Sequence, residues 1–529
     1  MPRGTNCRRR SMWRDEGSVK GCCEVCLTDD NRDKLFPWPR VAACPRMARI
    51  VLTSFGSFGD VNPYIGLGLA LRARGHAPVL AMPAIYRDVV EPLGLEFRAA
   101  RPDLDPDDHA LVRRIMDPND GPEALFRDLL LPGLAAGYED LSAACEGADL
   151  VVTHPAQLAG PIVAEQRGGP WASSVLAPLS FFSVSDPVVP APAPWVHGLL
   201  VRSRFFSRTF LRLTHRVTRR WAEPVQNFRR SLGLPPGANP ILDGQHSPHL
   251  VLAMFSRLLS EPQPDWPARA VVTGPILYNG AASAELSDEL ERFLAMGPPP
   301  LVFTLGTSAV EAAGSFYDVS ARAARRLHRR AVLLIGRHAH NRPKDSGGDV
   351  LSIEYASHAT LFPRAAAVVH QGGIGTTHQA LASGKPTLVV PHAHDQPDNA
   401  MRVARLGVSR TLYPQRYTDA AVVRGLQALL SNEAYAARAA EIGTQVRAER
   451  GPAAACDAIE TLLGRRDAPA TGAPKPVSPA IHAAVPASDQ PSGRAYMDCA
   501  SGGPGRHDAH ADGVRGFGSI GLATGPQRT

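Results

Sequence analysis

Short apolar runs alternate with helix-length polar segments along most of this 529-residue chain. Arg49–Thr53 reads as a buried strand and leads into the Gly-rich turn Gly56-Ser-Phe-Gly59. A helix from about Pro63 to Arg74 follows, closed by Gly75-His76, and Ala77–Met82 predicts the next strand. Pro in the first helical turn and Gly just past the last follow the asymmetry of helix ends. Strand, helix and strand at this spacing make a parallel, right-handed unit. Asp149–Thr153 gives another strand, and Leu158–Gln166 a helix. A second series begins near Leu250–Phe255 and continues with Ala270–Thr273, Leu301–Leu305, Ala331–Ile335, Ala365–Val369 and Thr387–Val390. Helical patterns over Tyr317–Arg330, Thr377–Ser383 and Gln396–Leu406 separate the later strands. The expected fold is α/β, with two doubly wound Rossmann-like domains in series at 47–245 and 246–465.

Three segments break the pattern. Residues 177–197 are rich in Pro, with Phe181, Phe182 and Trp195, and read as a long ordered loop. Arg202–Trp221 predicts an amphipathic helix with seven Arg and no acid. Beyond about Arg466 the chain turns to Ala, Pro, Gly and Ser, the composition of a disordered tail (466–529).

The net charge of +7 is unevenly spread. Residues 1–46 hold ten Lys/Arg and six Asp/Glu, a net of +4, leaving +3 for the rest. That leaves the body too weakly basic to suggest nucleic acid as a partner. Five of the eight cysteines also fall in this leader, and Cys145, Cys456 and Cys499 are scattered. Such spacing is no disulfide framework and fits a reducing, cytoplasmic setting. The pair Cys23-Glu-Val-Cys26 lacks a second pair to complete a zinc site. The leader has no apolar core of the kind a signal peptide carries, so 1–46 is expected to be disordered, with Met47 as the biological start. No apolar run reaches the roughly 18 residues that span a bilayer.

Candidate chemistry concentrates at strand ends. His370-Gln-Gly-Gly-Ile-Gly-Thr-Thr377 runs out of the apolar stretch Ala365–Val369, the pattern of a strand, a Gly-rich turn and a helix N-terminus. Gly372, Gly373 and Gly375 let backbone approach an anion closely, and the helix start supplies about half a positive charge. Thr376 and His370 add donors, and Thr304-Leu-Gly-Thr307 offers a second turn with Thr307 for the same phosphates. Asp395-Gln396 pairs an acceptor-only carboxylate with an amide, which suits a polyol. Asp60 lies in the loop after the first strand, at its carboxyl end, where ligands of doubly wound sheets sit. It can serve as a general base toward a hydroxyl or as a cap for the following helix. No G-x-G-x-x-G precedes a helix, and the second strand ends in Met82-Pro83 without an acid, which argues against a dinucleotide. His392-Ala-His394-Asp395 and Asp103-Leu-Asp105 have metal-ligand types, but hydroxyl binding and solvation account for them, and no metal is expected.

On these motifs the chain resembles the family-1, GT-B-fold glycosyltransferases, closest to bacterial members acting on lipids, sterols, macrolides and glycopeptides, the rhamnosyltransferase-like group included. The resemblance spans about Ala48–Leu463 through Gly59-Asp-Val-Asn-Pro63, Pro262-Gln-Pro-Asp-Trp-Pro267, Thr304-Leu-Gly-Thr307 and the run Tyr355–Gly407. It implies an N-terminal acceptor domain, a C-terminal nucleotide-sugar domain and reaction in the cleft between them. Asp60 matches the base of members carrying G-D-x-x-P, where many plant and animal members have His. Thr307, His370, Gly372, Gly373, Gly375 and Thr376 match the diphosphate cradle, and Asp395 and Gln396 match the residues on the sugar. Gln371 stands where many relatives have His or Gly, and the nucleobase-stacking Trp of plant members has no counterpart in Tyr355–Leu361. The implied activity is inverting, metal-independent transfer of a hexose from a nucleotide diphosphate sugar, UDP-glucose by default. The acceptor would be a hydroxyl of an apolar lipid, sterol or polyketide. The alternatives are a dTDP-rhamnose-type deoxysugar transferase and a non-catalytic nucleotide-sugar-binding protein. No cofactor beyond the nucleotide sugar is expected, and Arg202–Trp221 is an expected peripheral contact with the inner face of the plasma membrane.

Overall fold

The computed structural model describes residues 47–103, 108–280, 285–344 and 347–467. The expected leader and tail, Cys23, Cys26 and Asp105 lie outside these residues. The first sheet contains β1 (Arg49–Thr53), β2 (Ala77–Met82), β3 (Glu96–Ala99), β4 (Leu150–Thr153), β5 (Trp171–Val175), β6 (Leu250–Ala253) and β7 (Ala270–Val272). Its spatial order is β3-β2-β1-β4-β5-β6-β7. The second contains β8 (Leu301–Thr304), β9 (Ala331–Leu334), β10 (Val350–Ile353), β11 (Ala367–His370), β12 (Thr387–Val389) and β13 (Ser409–Thr411). Its order is β10-β9-β8-β11-β12-β13. Neighbouring strands pair in parallel, so both sheet faces carry helices and the strands read as continuous apolar runs. The α/β expectation of two Rossmann-like domains holds.

The boundary drawn at 245/246 does not. β6 and β7 extend the first sheet, with Val175 opposite Ala253 on β5–β6 and Ala253 opposite Val272 on β6–β7. An apolar run looks the same whichever sheet it joins, so the pattern could not assign these two strands. The last helix, α6 (Gly451–Asp467), also returns to the first domain, where Ala455 and Ile459 share a core with Leu52, Leu67 and Leu252. Arg74 fastens it there through Asp457 at 2.6 Å and Glu460 at 2.8 Å.

Helix α1 (Phe58–Ala73) starts earlier than Pro63, because Ser57 supplies a side-chain cap that the Gly-rich turn concealed. The other helices used below are α2 (Ala159–Arg167), α3 (Arg204–Ser231), α4 (Ile374–Ser383) and α5 (Gln396–Arg405). Loop 177–197 is ordered, as expected, but its aromatic residues divide. Phe181 is buried and stacks on Trp266 at 4.1 Å, so it belongs to the first domain's core, whereas Trp195 is exposed. Asp265 anchors the loop by accepting from Ser183 Oγ at 2.8 Å. No helix among the described residues is long and apolar enough to cross a membrane.

Candidate active site

Each sheet has one point where strand order reverses, β1/β4 in the first and β8/β11 in the second. Crevices form there, outside the carboxyl ends of the strands. The sequence-predicted residues Asp60, Thr307, His370 and Gly372–Thr376 lie at the strand ends and in the turns and first helical turns that follow at these two points.

At the first point, Ser57 caps α1 and Asp60 is the third residue of the helix. Asp60 Oδ2 accepts from Ser57 N at 2.9 Å and from Ser57 Oγ at 3.1 Å, completing a capping box. A Cβ on Gly56 would meet that oxygen at 2.5 Å, and Gly56 has φ +114°, so the turn requires glycine. Asp60 is therefore a cap, as one reading held, but the cap occupies only one carboxylate oxygen. Oδ1 faces His154 Nε2 at 4.0 Å. The carboxyl lies at the floor of the crevice, 35% exposed, and burial pushes its pKa up to about 6, partly offset by the Ser57 hydrogen bonds.

At the second point, Thr304 and His370 are register partners on β8 and β11, so the loops that follow lie side by side. His370 is buried, and its Nδ1 accepts from Gly372 N at 3.1 Å. The ring proton is thereby assigned to Nε2, which is buried without a hydrogen-bond partner. Burial lowers its pKa to about 3, so this is a neutral N–H donor rather than an imidazolium. Gly372 has φ +86°, and a Cβ there would press on Val389 and on the Gln396 carbonyl. Gly373 caps α4 with no side chain to occupy the first helical N–H groups, which leaves them free to meet an anion. Thr307 is exposed beside them. Gln371, an unassigned position in the sequence, packs its amide beneath Gly306 and Gly373 and reaches Thr376 Oγ1 at 3.4 Å. It ties the two loops together.

Asp395 immediately precedes α5, without a side-chain capping hydrogen bond, and Gln396 opens the helix. Asn399, which the sequence did not single out, donates to Asp395 Oδ2 at 2.7 Å and to the Gly372 carbonyl at 2.9 Å. Burial pushes the Asp395 carboxyl up to about 7, with Asp60 adding repulsion. Gln396 Oε1 accepts from His392 N at 2.8 Å, holding the loop before α5 and leaving its amide N–H groups as donors. His392 and His394 do not share a strand face; they sit in that loop, and His392 Nδ1 lies 2.8 Å from the Val390 carbonyl oxygen. Among the described residues no group of three or more His, Cys, Asp or Glu could hold a metal ion.

The two half-sites meet directly. A Cβ on Gly375 would lie 3.0 Å from Gly59 Cα, so the first turns of α4 and α1 touch through two glycines. This brings the Asp60 carboxylate next to the free N-terminus of α4 and within electrostatic reach of Asp395. A cavity of about 620 Å³ beside α2 and α3 shares only His154 with this centre.

Known proteins resemble this chain in sequence and in fold. Residues 326–462 match the family described as erythromycin biosynthesis protein CIII-like, C-terminal domain. The O-mycaminosyltylonolide 6-deoxyallosyltransferase of Streptomyces fradiae is 35% identical over 431 residues, covering 78% of this chain and 97% of that protein. The chain belongs to the family-1 GT-B glycosyltransferases. Glycosyltransferase GtfE of Amycolatopsis orientalis is 30% identical over 79% of this glycosyltransferase and 98% of its own length. Two solved structures share the fold. The kitacinnamycin glycotransferase has a TM-score of 0.59 at 22% identity, covering 79% of this chain and all of its own. VinC in complex with dTDP has a TM-score of 0.56 at 21% identity, with the same coverage.

Proposed function

We propose that this glycosyltransferase moves a 6-deoxyhexose from a dTDP-sugar to a hydroxyl of a macrolide-type acceptor, with inversion. The observation that carries the reading is the Gly59–Gly375 contact, which sets a carboxylate of raised pKa against a side-chain-free helix N-terminus. The acceptor O–H proton passes to Asp60 while the acceptor oxygen forms a bond to the anomeric carbon. The anomeric C–O bond breaks on the opposite face, and its electron pair leaves on the diphosphate. The N-terminus of α4, Gly372, Gly373, Gly375, Thr376, Thr307 and His370 Nε2–H stabilise that developing charge. Asp395 and the amide of Gln396 hold sugar hydroxyls. No metal or cofactor takes part in the mechanism.

The deoxysugar donor replaces UDP-glucose as first choice because a 35% identical relative is named for transferring a 6-deoxyallosyl group. Fold relatives such as the spinosyn rhamnosyltransferase SpnG were solved with thymidine diphosphate. The acceptor class rests on the same relative, named for O-mycaminosyltylonolide. We also assign the Arg202–Trp221 surface a contact with anionic membrane, supported by exposed Phe205, Leu213 and Val217 among its arginines. The deciding experiment follows nucleotide release from dTDP- and UDP-sugars with and without O-mycaminosyltylonolide and related macrolides. Acceptor-stimulated release from a dTDP-deoxysugar, lost in Asp60→Asn, is the expected result. Nucleotide-sugar binding with no release under any acceptor would leave a binding protein instead.

A further inference from the structure

His154 was not singled out by the sequence, yet it stands opposite Asp60 for a topological reason. β1 and β4 are adjacent and parallel, with Leu52 opposite Val152, so the residues just past their ends share one crevice. Asp60 follows β1 and His154 is the first residue past β4. His154 Nδ1 accepts from Ala156 N at 3.0 Å, which assigns the ring proton to Nε2. Burial keeps the ring neutral, with a pKa near 3. The crevice therefore presents one carboxylate oxygen and one N–H donor 4.0 Å apart.

That gap is too wide for a direct hydrogen bond and fits one oxygen atom between the two groups, at about 2.8 Å from each. A hydroxyl there donates to Asp60 Oδ1 and accepts from Nε2–H. We propose that the reacting hydroxyl of the acceptor is held between Asp60 Oδ1 and His154 Nε2, making His154 a substrate-positioning residue of this transferase. The role rests on the transferase reading above. His154 takes no proton; it fixes one lone pair of the acceptor oxygen, so that the other lone pair is the one directed at the anomeric carbon while Asp60 takes the proton. A neutral donor suits this task, because a cation beside Asp60 would lower the basicity of the carboxylate.

The test compares wild type, His154→Phe and His154→Gln with dTDP-6-deoxyallose and O-mycaminosyltylonolide, or with the donor–acceptor pair that wild type turns over best. Phe keeps the ring volume without the donor, and Gln restores an N–H at similar reach. The expected result is a fall of about 10- to 100-fold in kcat/KM for the acceptor in His154→Phe. Most of it should return in His154→Gln, with dTDP affinity within about twofold of wild type and an unchanged melting temperature. Unchanged acceptor kcat/KM in a folded His154→Phe would overturn the proposal, and so would a parallel loss of dTDP affinity and melting temperature in both variants, which marks a structural role. If wild type transfers to no acceptor, the transferase reading falls and this role with it; if it transfers and only the His154 variants behave as wild type, the role alone falls.

Discussion

At the scale of single residues, Asp60 closes a helix cap in the fold and is, in our proposal, the general base. Oδ2 closes the capping box with Ser57, which fixes the side-chain rotamer, and Oδ1 is left to face the crevice. Burial sets its pKa near 6, high enough for useful basicity and low enough for the ion to dominate at neutral pH. The raised value puts the charged form above about pH 6, so kcat/KM should be flat near neutrality and fall about tenfold per pH unit below 6. Asp60→Asn should lose about 10²–10⁴-fold and lose that acidic limb with it. A pH–rate profile of wild type and variant checks both. His370 and Gly372 could be picked out as candidates because a Gly-rich turn from a strand into a helix has a residue signature. His154 and Asn399 could not, because their partners Asp60 and Gly372 lie far along the chain and come close only through strand register and helix packing.

At the scale of elements, the site is made of helix starts. α1 and α4 touch through Gly59 and Gly375, where a side chain would hold the two turns apart. Gly375→Ala places a methyl 3.0 Å from Gly59 Cα, so the turns must separate by a few tenths of an ångström. The expected result is a drop in kcat of roughly tenfold with an unchanged melting temperature, since misplacement at a reacting centre costs rate before stability. Steady-state kinetics beside a thermal melt would decide it. Helix α5 carries a second, buried device. Arg402 is 1% exposed and pairs with Asp398 at 2.7 Å within the helix and with Asp186 of the Pro-rich loop. Asp398 Oδ1 also accepts from Val189 N at 3.0 Å, so the helix that begins at the candidate sugar residues grips the loop of the other domain.

Arg402→Ala leaves the buried Asp398 without its cation, while Asp186 keeps Arg405 at 3.0 Å, and should cost about 3–5 kcal/mol. Adding Asp398→Ala should recover part of that loss, because one uncompensated charge is gone, and a denaturant double-mutant cycle measures the coupling. Most strands that flank the site were readable as apolar runs. β3, β10 and β13 were missed because edge strands are half solvated and carry polar residues such as Glu96, Ser352 and Arg410. β5 was missed although central, because Ser173 and Ser174 break its apolar run. Both are buried and hydrogen-bonded, Ser174 Oγ donating to the Thr153 carbonyl at 2.8 Å. On α3, Phe205→Ser with Leu213→Ser should abolish co-sedimentation with anionic vesicles if that surface docks on lipid, and binding equal on neutral vesicles would contradict the charge argument.

At the scale of the whole molecule, two domains built on one plan present their switch points to each other, and both hold histidines whose charged form is disfavoured by desolvation. His358, His370 and His378 in the second domain and His154 and His246 in the first have pKa values pushed down to about 3 or 4 by burial. Each is neutral when folded and takes up a proton near pH 6.5 when unfolded. A base whose pKa is depressed by folding stabilises the protein above its unfolded value, and that stability is lost as pH falls from about 6.5 toward 4. Asp60 and Asp395, raised to about 6 and 7, act the opposite way over the same range. Five histidines outweigh two carboxylates, so the unfolded chain binds more protons at pH 5 and the folded state weakens there. The melting temperature without donor should fall by roughly 5 °C or more from pH 7 to pH 5. A dTDP-sugar whose diphosphate accepts the His370 N–H places negative charge beside the ring, raises its pKa and should narrow the gap between the two pH values. Scanning calorimetry with and without dTDP tests this, and a melting temperature that rises on acidification would mean that the carboxylates, not the histidines, govern the pH dependence.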